Sequence, residues 1–131
     1  MKILIETIPH KEQRYNTCGD WFYEGTTLHI KVSALSDWRR EFLVAFHELF
    51  EAMWCKHARV SQEDVDQFDL TWQSEGENAT EPGDDPTAPY YRGHQMAIAH
   101  ERLACFALDQ NWFDYERELE LLLGPKEKND D

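Results

Sequence analysis

The chain has 131 residues, of which 41% are hydrophobic and 13% aromatic, so it can fill one hydrophobic core and is not expected to be disordered. Its 26 acidic and 13 basic residues give a formal net charge of −13, and the absence of a basic run argues against direct nucleic-acid binding. We therefore predict a single domain spanning residues 1–131.

The N-terminal segment and the cysteines both bear on the cellular location of the protein. The apolar run in "MKILIETIPH" is interrupted by Glu6, which makes it too short for a signal peptide or a membrane span. Cys18, Cys55 and Cys105 are odd in number and form no CxxC pair, as expected for free thiols in a reducing environment. We expect a cytoplasmic protein with no membrane association.

The first quarter of the chain has the alternating pattern of β-strands. Residues 1–34 contain one strand, "KILIETI", and a hairpin, "DWFYEGTTLHIKVS", whose turn is predicted at residues 24–26. Alternation places three side chains of the second arm in the core: Leu28, Ile30 and Val32. A short antiparallel sheet is predicted.

A helix is predicted over residues 36–58. Ser36 is a suitable N-cap, and Asp37 suits the positive end of the helix dipole. Apolar residues then recur at helical spacing, namely Trp38, Phe42, Phe46, Leu49 and Met53. Because aromatic residues usually pack, four tryptophans are expected in the core or at its edge: Trp38, Trp54, Trp72 and Trp112.

The bounds of the remaining elements are predicted from N-cap residues and from the prolines and glycines that interrupt helices. A short helix is predicted over 61–72, an acidic loop over 73–92, two helices within 93–123, and a charged tail over 124–131. The predicted fold class is α+β, with the short N-terminal antiparallel sheet packed against three to four helices.

The stretch "AFHELFEAMWCKH" carries the candidate chemistry. His47 and Glu51 are four residues apart on one helix, so both side chains project from the same face and can reach one metal ion. Glu48 lies about 100° further round, where it can contact a metal-bound water. The alternative is an ordinary i,i+4 pair on the polar edge of a helix, which stabilises by only a few tenths of a kcal/mol.

The segment "HELFE" resembles the H-E-x-x-H helix of zincin metallopeptidases, with Glu51 in the place of the second histidine. The resemblance covers roughly residues 20–105, including the preceding short sheet, although only His47 and Glu48 match the diagnostic residues. The whole chain also resembles small phage and prophage proteins. The zincin resemblance implies bound zinc and peptide hydrolysis, with Glu48 as general base.

A third ligand is expected from the helix that begins near residue 93. His94 and Glu101 fall close together on a helical projection of that segment. By resemblance to gluzincins Glu101 is one candidate, but His94 gives more usual ligand chemistry beside Glu51. We favour His94 as ligand and Glu101 as the group that orients it or substitutes for it, with His100 as third choice.

The preceding loop, with Asp84, Asp85, Tyr90 and Tyr91, is expected to cover the site, where a tyrosine hydroxyl can stabilise an oxyanion. Peptides or proteins are the expected substrates. Two other functions remain open: a Mg²⁺-dependent nucleotide phosphohydrolase built on the carboxylates, and a non-catalytic acidic interaction protein on a zincin-like scaffold.

Overall fold

The computed structural model describes residues 1–74 and 81–124. Three strands come first, and four helices follow them, so the predicted α+β class is confirmed. Within the described ranges, no helix is both long enough and apolar enough to cross a membrane. The elements are β1 (Lys2–Ile8), β2 (Gly19–Glu24), β3 (Thr27–Ser33), α1 (Trp38–Ala58), α2 (Gln62–Ser74), α3 (Tyr91–Ala107) and α4 (Trp112–Leu123).

The sheet is mixed, so the prediction of an antiparallel sheet is wrong for one strand. The order is β1-β3-β2, in which β2 pairs antiparallel and β1 pairs parallel with β3. Ile8 pairs with Ser33 and Gly19 with Val32, so the end of β1 and the start of β2 both lie at the C-terminal end of β3. The intervening segment therefore passes the end of β3, which inserts between its two neighbours. Alternation in a sequence predicts a strand but not its direction.

The hairpin itself forms as predicted. Gly25 has a φ of 60°, a left-handed conformation that glycine adopts without a steric penalty. Three alternate side chains of β3 are at most 1% exposed and form the sheet side of the core: Leu28, Ile30 and Val32. The central strand of the sheet is thus the strand that anchors α1 to it.

Helix α1 begins two residues later than predicted because Asp37, and not Ser36, is its N-cap. The Asp37 carboxylate accepts a hydrogen bond from the backbone N–H of Arg39 at 2.8 Å. The Ser36 hydroxyl donates instead to Glu118 of α4. At the other end Arg59 adopts a left-handed conformation with a φ of 59° and terminates the helix.

The aromatic residues of α1 do not all face the core. Trp38 is 67% exposed and Phe42 is 45% exposed, so the expected core position of Trp38 is wrong. Trp54 and Trp112 are partly buried and pack against the core, as expected. The buried face of α1 is formed by smaller or polar side chains, namely Leu43, Val44, Ala45, His47, Glu51, Ala52 and Cys55.

The later elements begin and end within two residues of their predicted bounds. Ser61 accepts a hydrogen bond from the backbone of Asp64 at the start of α2, which runs to Ser74. The predicted loop contains a 3₁₀ turn at Pro82–Asp84, while residues 75–80 lie outside the described residues. Helix α3 begins at Tyr91, and residues 125–131 of the predicted tail are also outside the described residues.

The cap of α1 gives a stability prediction. Replacement of Asp37 by alanine should lower the free energy of unfolding by about 1 kcal/mol, because it removes the acceptor for an otherwise unpaired backbone N–H. Urea denaturation measures this change. As a control, Asp64→Ala removes an exposed acidic side chain from the first turn of α2 and should cost less; equal losses would contradict the capping role.

Candidate metal centre

Helices α1 and α3 pack closely enough to bring their polar side chains together. A Cβ atom built on Gly93 would lie 2.5 Å from the Trp54 ring, so only glycine permits this approach near the start of α3. His47 and Glu51 are one turn apart on the inner face of α1, and His94 lies in the first turn of α3. Their exposed fractions are 8%, 6% and 3%.

Three ligand atoms of these side chains converge. The distance from Glu51 Oε2 is 3.2 Å to His47 Nε2 and 2.9 Å to His94 Nδ1, and the two nitrogens are 3.3 Å apart. In a tetrahedral zinc site with bonds of about 2.0–2.1 Å, ligand atoms lie about 3.3–3.4 Å from one another. The donor set and its spacing therefore fit zinc with little rearrangement.

A buried carboxylate orients His47. Glu101 accepts a hydrogen bond from His47 Nδ1 at 2.7 Å and another from the Tyr115 hydroxyl at 2.5 Å. Burial and the neighbouring Glu101 raise the pKa of Tyr115 well above its ordinary value, so the hydroxyl keeps its proton and donates. Because Glu101 holds a proton on Nδ1, loss of the Nε2 proton would leave a lone pair of His47 directed toward Glu51 and His94.

Glu101 therefore differs in one respect from the prediction. It was expected to orient His94, but it contacts His47 on the other helix. Sequence spacing placed Glu101 on the buried face of α3 correctly. It gave no information about which histidine that carboxylate would meet, because the contact depends on the rotation of α1 against α3.

The indole of Trp21 fixes the second oxygen of Glu51. Trp21 Nε1 donates to Glu51 Oε1 at 3.2 Å, which leaves Oε2 directed at the two histidines. Trp21 lies on β2 and Tyr115 on α4, far from the H-E segment in sequence. Sequence analysis missed both residues, and no local pattern marks either as part of the site.

The loop before α3 orients His94. Its Nε2 atom lies 3.3 Å from Asp84 Oδ1 and 3.4 Å from Glu81 Oε2. Gly83 lies directly against the imidazole, where a Cβ atom would overlap the ring. Nε2 therefore lies at ion-pair distance from two carboxylates, although it makes no hydrogen bond among the described residues, and Nδ1 faces Glu51. Asp84 thus lies against the site, as expected for the loop.

Protonation states in the metal-free protein follow from these contacts. Burial opposes charge on both imidazoles, but the hydrogen bonds that His47 donates to Glu101 and Glu51 raise its pKa well above its ordinary value. Similarly, Asp84 and Glu51 raise the pKa of His94 to about 10 against the effect of burial. Burial also opposes charge on Glu51, yet the two imidazoles lower its pKa to about 2. Protons thus occupy positions that a divalent cation can take.

Glu48 lies beside the cluster and under the start of β2. A Cβ atom on Gly19 would lie 2.7 Å from Glu48 Oε1, so the missing side chain leaves room for this carboxylate. Burial and the negative charge of Glu51 raise the pKa of Glu48 well above its ordinary value. Burial thus favours the protonated form of this carboxyl group beside the cluster.

Three further polar side chains near these helices do not supply an atom to the cluster, although the ring of Tyr90 packs edge-on against His94 with centroids 6.3 Å apart. His100 packs between aromatic rings, with centroid distances of 6.3 Å to Phe46 and 4.6 Å to Phe50. Cys55 is fully buried and is not among the clustered ligand atoms. The Tyr90 hydroxyl, which was considered as an oxyanion donor, donates to Asp69 at 2.5 Å.

Comparison with known proteins adds no functional information. No family model matches the chain, and neither curated proteins nor solved structures give a match. Function is therefore inferred from the geometry and electrostatics of the site.

The Glu101 contact gives a prediction about affinity. Glu101→Gln should weaken zinc binding roughly 10- to 100-fold, because the neutral amide holds the His47 N–H less strongly. Competition with a fluorescent chelator measures this affinity. The control Glu63→Gln changes an acidic residue in the first turn of α2 and should leave the affinity unchanged. Equal affinities of Glu101→Gln and wild type would contradict the orienting role.

The shifted pKa values predict how stability depends on pH. In the metal-free protein the pKa of His94 is raised from 6.5 to about 10, so its stabilising contribution is complete below pH 6.5 and is lost as the pH rises toward 10. The pKa of Glu51 is lowered from 4.5 to about 2, so its contribution is lost as the pH falls through that range.

Melting temperatures measured from pH 5 to 10 test this dependence. We expect the metal-free protein to lose stability above pH 6.5, and the increase in melting temperature on zinc addition to grow over the same range, because zinc binds neutral imidazoles. A metal-free melting temperature that rises between pH 6.5 and 10 would contradict the assigned protonation states.

Proposed function

We propose that the protein is a zinc-dependent hydrolase that acts on peptides. The observation that carries the proposal is the meeting of His47 Nε2, Glu51 Oε2 and His94 Nδ1 at mutual distances of 2.9 to 3.3 Å. Two imidazoles and one carboxylate form a common ligand set for catalytic zinc, which leaves a fourth position for water or substrate.

The three ligands have different supports. Glu101 accepts a hydrogen bond from His47. Asp84 lies at ion-pair distance from His94, and Trp21 donates a hydrogen bond to the other oxygen of Glu51. Such contacts keep the donor atoms aimed at one point. Zinc bound there supplies a Lewis acid that polarises a carbonyl group and lowers the pKa of coordinated water toward about 7.

Glu48 is the proposed general base. It directly follows His47 on α1 and lies beside the cluster, where a carboxylate can accept a proton from water and later return it to the leaving amine. Gly19 matters for the same step because any side chain at that position would meet the Glu48 carboxylate. The choice of a peptide bond as the target rests on the resemblance of "HELFE" to the zincin helix.

The ligand chemistry favours zinc hydrolysis over the Mg²⁺-dependent alternative. Magnesium in nucleotide phosphohydrolases is bound through carboxylates and phosphates, whereas two of the three clustered donors are imidazole nitrogens. Glu48 distinguishes the hydrolase from a non-catalytic protein that binds the same metal. It is not among the three clustered ligands, so a hydrolase requires it for activity, whereas metal binding alone does not.

Metal content is the first test. Purified protein should contain about one zinc per chain after gel filtration, and His47→Ala should contain almost none, because one of three ligands is lost. His57→Ala is the matched control: this histidine is exposed near the end of the same helix and should not affect zinc content. Zinc absent from the wild type even after re-addition would refute the proposal.

Glu48 separates catalysis from metal binding. Glu48→Gln should retain zinc and reduce peptide hydrolysis by roughly 10²- to 10⁴-fold, because the amide cannot accept the proton. Cleavage of a quenched fluorescent peptide library, with Glu63→Gln as the control, measures this loss. If zinc-loaded wild type cleaves no peptide, or if Glu48→Gln cleaves as fast, the site has another role.

A further inference from the structure

Helices α1 and α3 carry a series of exposed and partly buried apolar side chains outside the group of candidate metal ligands. We name it the aromatic face. On α1 it is a series with a spacing of four residues, and on α3 it is formed by apolar residues and one arginine of the solvent side. The members are Trp38, Phe42, Phe46, Phe50 and Trp54 of α1, and Arg92, Met96, Leu103 and Phe106 of α3.

Direct contacts join the two helices within this face. The rings of Phe42 and Phe46 stack with centroids 5.8 Å apart, and His100 contacts both Phe46 and Phe50. Next to them lies a cavity of about 410 Å³ lined by Phe50, Trp54, His57, Ala58, Arg92 and Met96. The side chains from Phe42 to Trp54 are thus connected through His100 and Met96 into one surface with a depression.

The exposed area is large for a chain of this size. Exposed fractions are 67% for Trp38, 45% for Phe42 and 84% for Phe106. Since a fully exposed aromatic side chain presents about 150–250 Å², these three alone expose on the order of 400 Å². A stable interface buries roughly 800 Å² on each partner. Met96 and Leu103 are 45% and 68% exposed, and with the remaining members they bring the exposed area of the face toward that size.

The charges on the two helices favour contact between identical chains. α1 and α3 contain four carboxylates, of which Glu48, Glu51 and Glu101 lie at the metal centre. The fourth, Glu41, accepts a hydrogen bond from the backbone of Leu35. The aromatic face therefore carries no carboxylate, although the chain has a net charge of −13. Two strongly acidic chains that meet through this face therefore bring no carboxylate of α1 or α3 into contact, and the charged member of the face is Arg92.

We propose that the aromatic face is a homodimer interface. Enrichment in aromatic residues, methionine and arginine, with depletion of acidic residues, is the composition of interface cores. The α1 series forms a ridge of the i±4 type, and two such ridges pack into each other's grooves at a crossing angle of about −50°. A two-fold axis through the ridge would pair the face with itself, and the interaction does not require bound metal.

Sedimentation velocity at micromolar concentrations tests the proposal. The wild type should sediment as two 15.5 kDa chains, and Phe42→Glu and Met96→Glu should each sediment as one, because each introduces a carboxylate into the apolar contact. Leu121→Glu on α4 is the matched control, since Leu121 is 70% exposed outside the face, and it should remain dimeric. Circular dichroism establishes that each variant is folded, whether or not the protein binds zinc.

Three outcomes would overturn the proposal. The first is a wild type that remains monomeric at these concentrations. The second is a dimer that persists in both Phe42→Glu and Met96→Glu. The third is a monomer that cosediments with vesicles of phosphatidylcholine and phosphatidylglycerol and loses this binding in Phe42→Glu, which would identify the face as a membrane-binding surface. Zinc content and peptide cleavage in the monomeric variants report separately on the proposed function.

Discussion

The contact between His47, Glu51 and His94 is the interaction on which the arrangement of the helices depends. Three polar groups are held out of water between α1 and α3, and burial of such groups is unfavourable unless each is paired. The pairing comes from separate parts of the chain: a strand provides Trp21, and the last helix provides Tyr115. Sheet, helices and loop therefore meet at one point, which a bound cation would hold together more firmly than protons do.

Local periodicity was sufficient to find the clustered residues. His47 and Glu51 share a face because they are four residues apart, and His94 lies on the buried side of its own helix. The predicted partner of Glu101, His94, was wrong, because spacing within α3 does not determine which residue of α1 lies opposite the carboxylate. Trp21 and Tyr115 were not predicted at all, since contacts between distant segments leave no mark at either position in a single sequence.

The same limit explains the errors in the fold. Alternation identified the strands, but β1 pairs in parallel because β3 inserts between β1 and β2, and that order is a property of the whole sheet. On α1, helical spacing identified an apolar face of which Leu49 and Met53 pack against the core, whereas Trp38 and Phe42 are exposed. The fully buried side chains of the helix lie elsewhere and include the site. Helical spacing of aromatic residues therefore identifies an apolar side of a helix, but it does not determine whether that side faces the core or the solvent.

X-ray absorption at the zinc edge of the metal-loaded protein tests the central claim most directly. The account predicts four-coordinate zinc with nitrogen and oxygen ligands at about 2.0–2.1 Å and multiple-scattering features of two imidazoles. Replacement of His94 by alanine should remove one imidazole from that spectrum while Glu51 remains. A six-coordinate spectrum of oxygen ligands alone, or one unaffected by loss of His94, would contradict the assignment of His47, Glu51 and His94 as a metal centre.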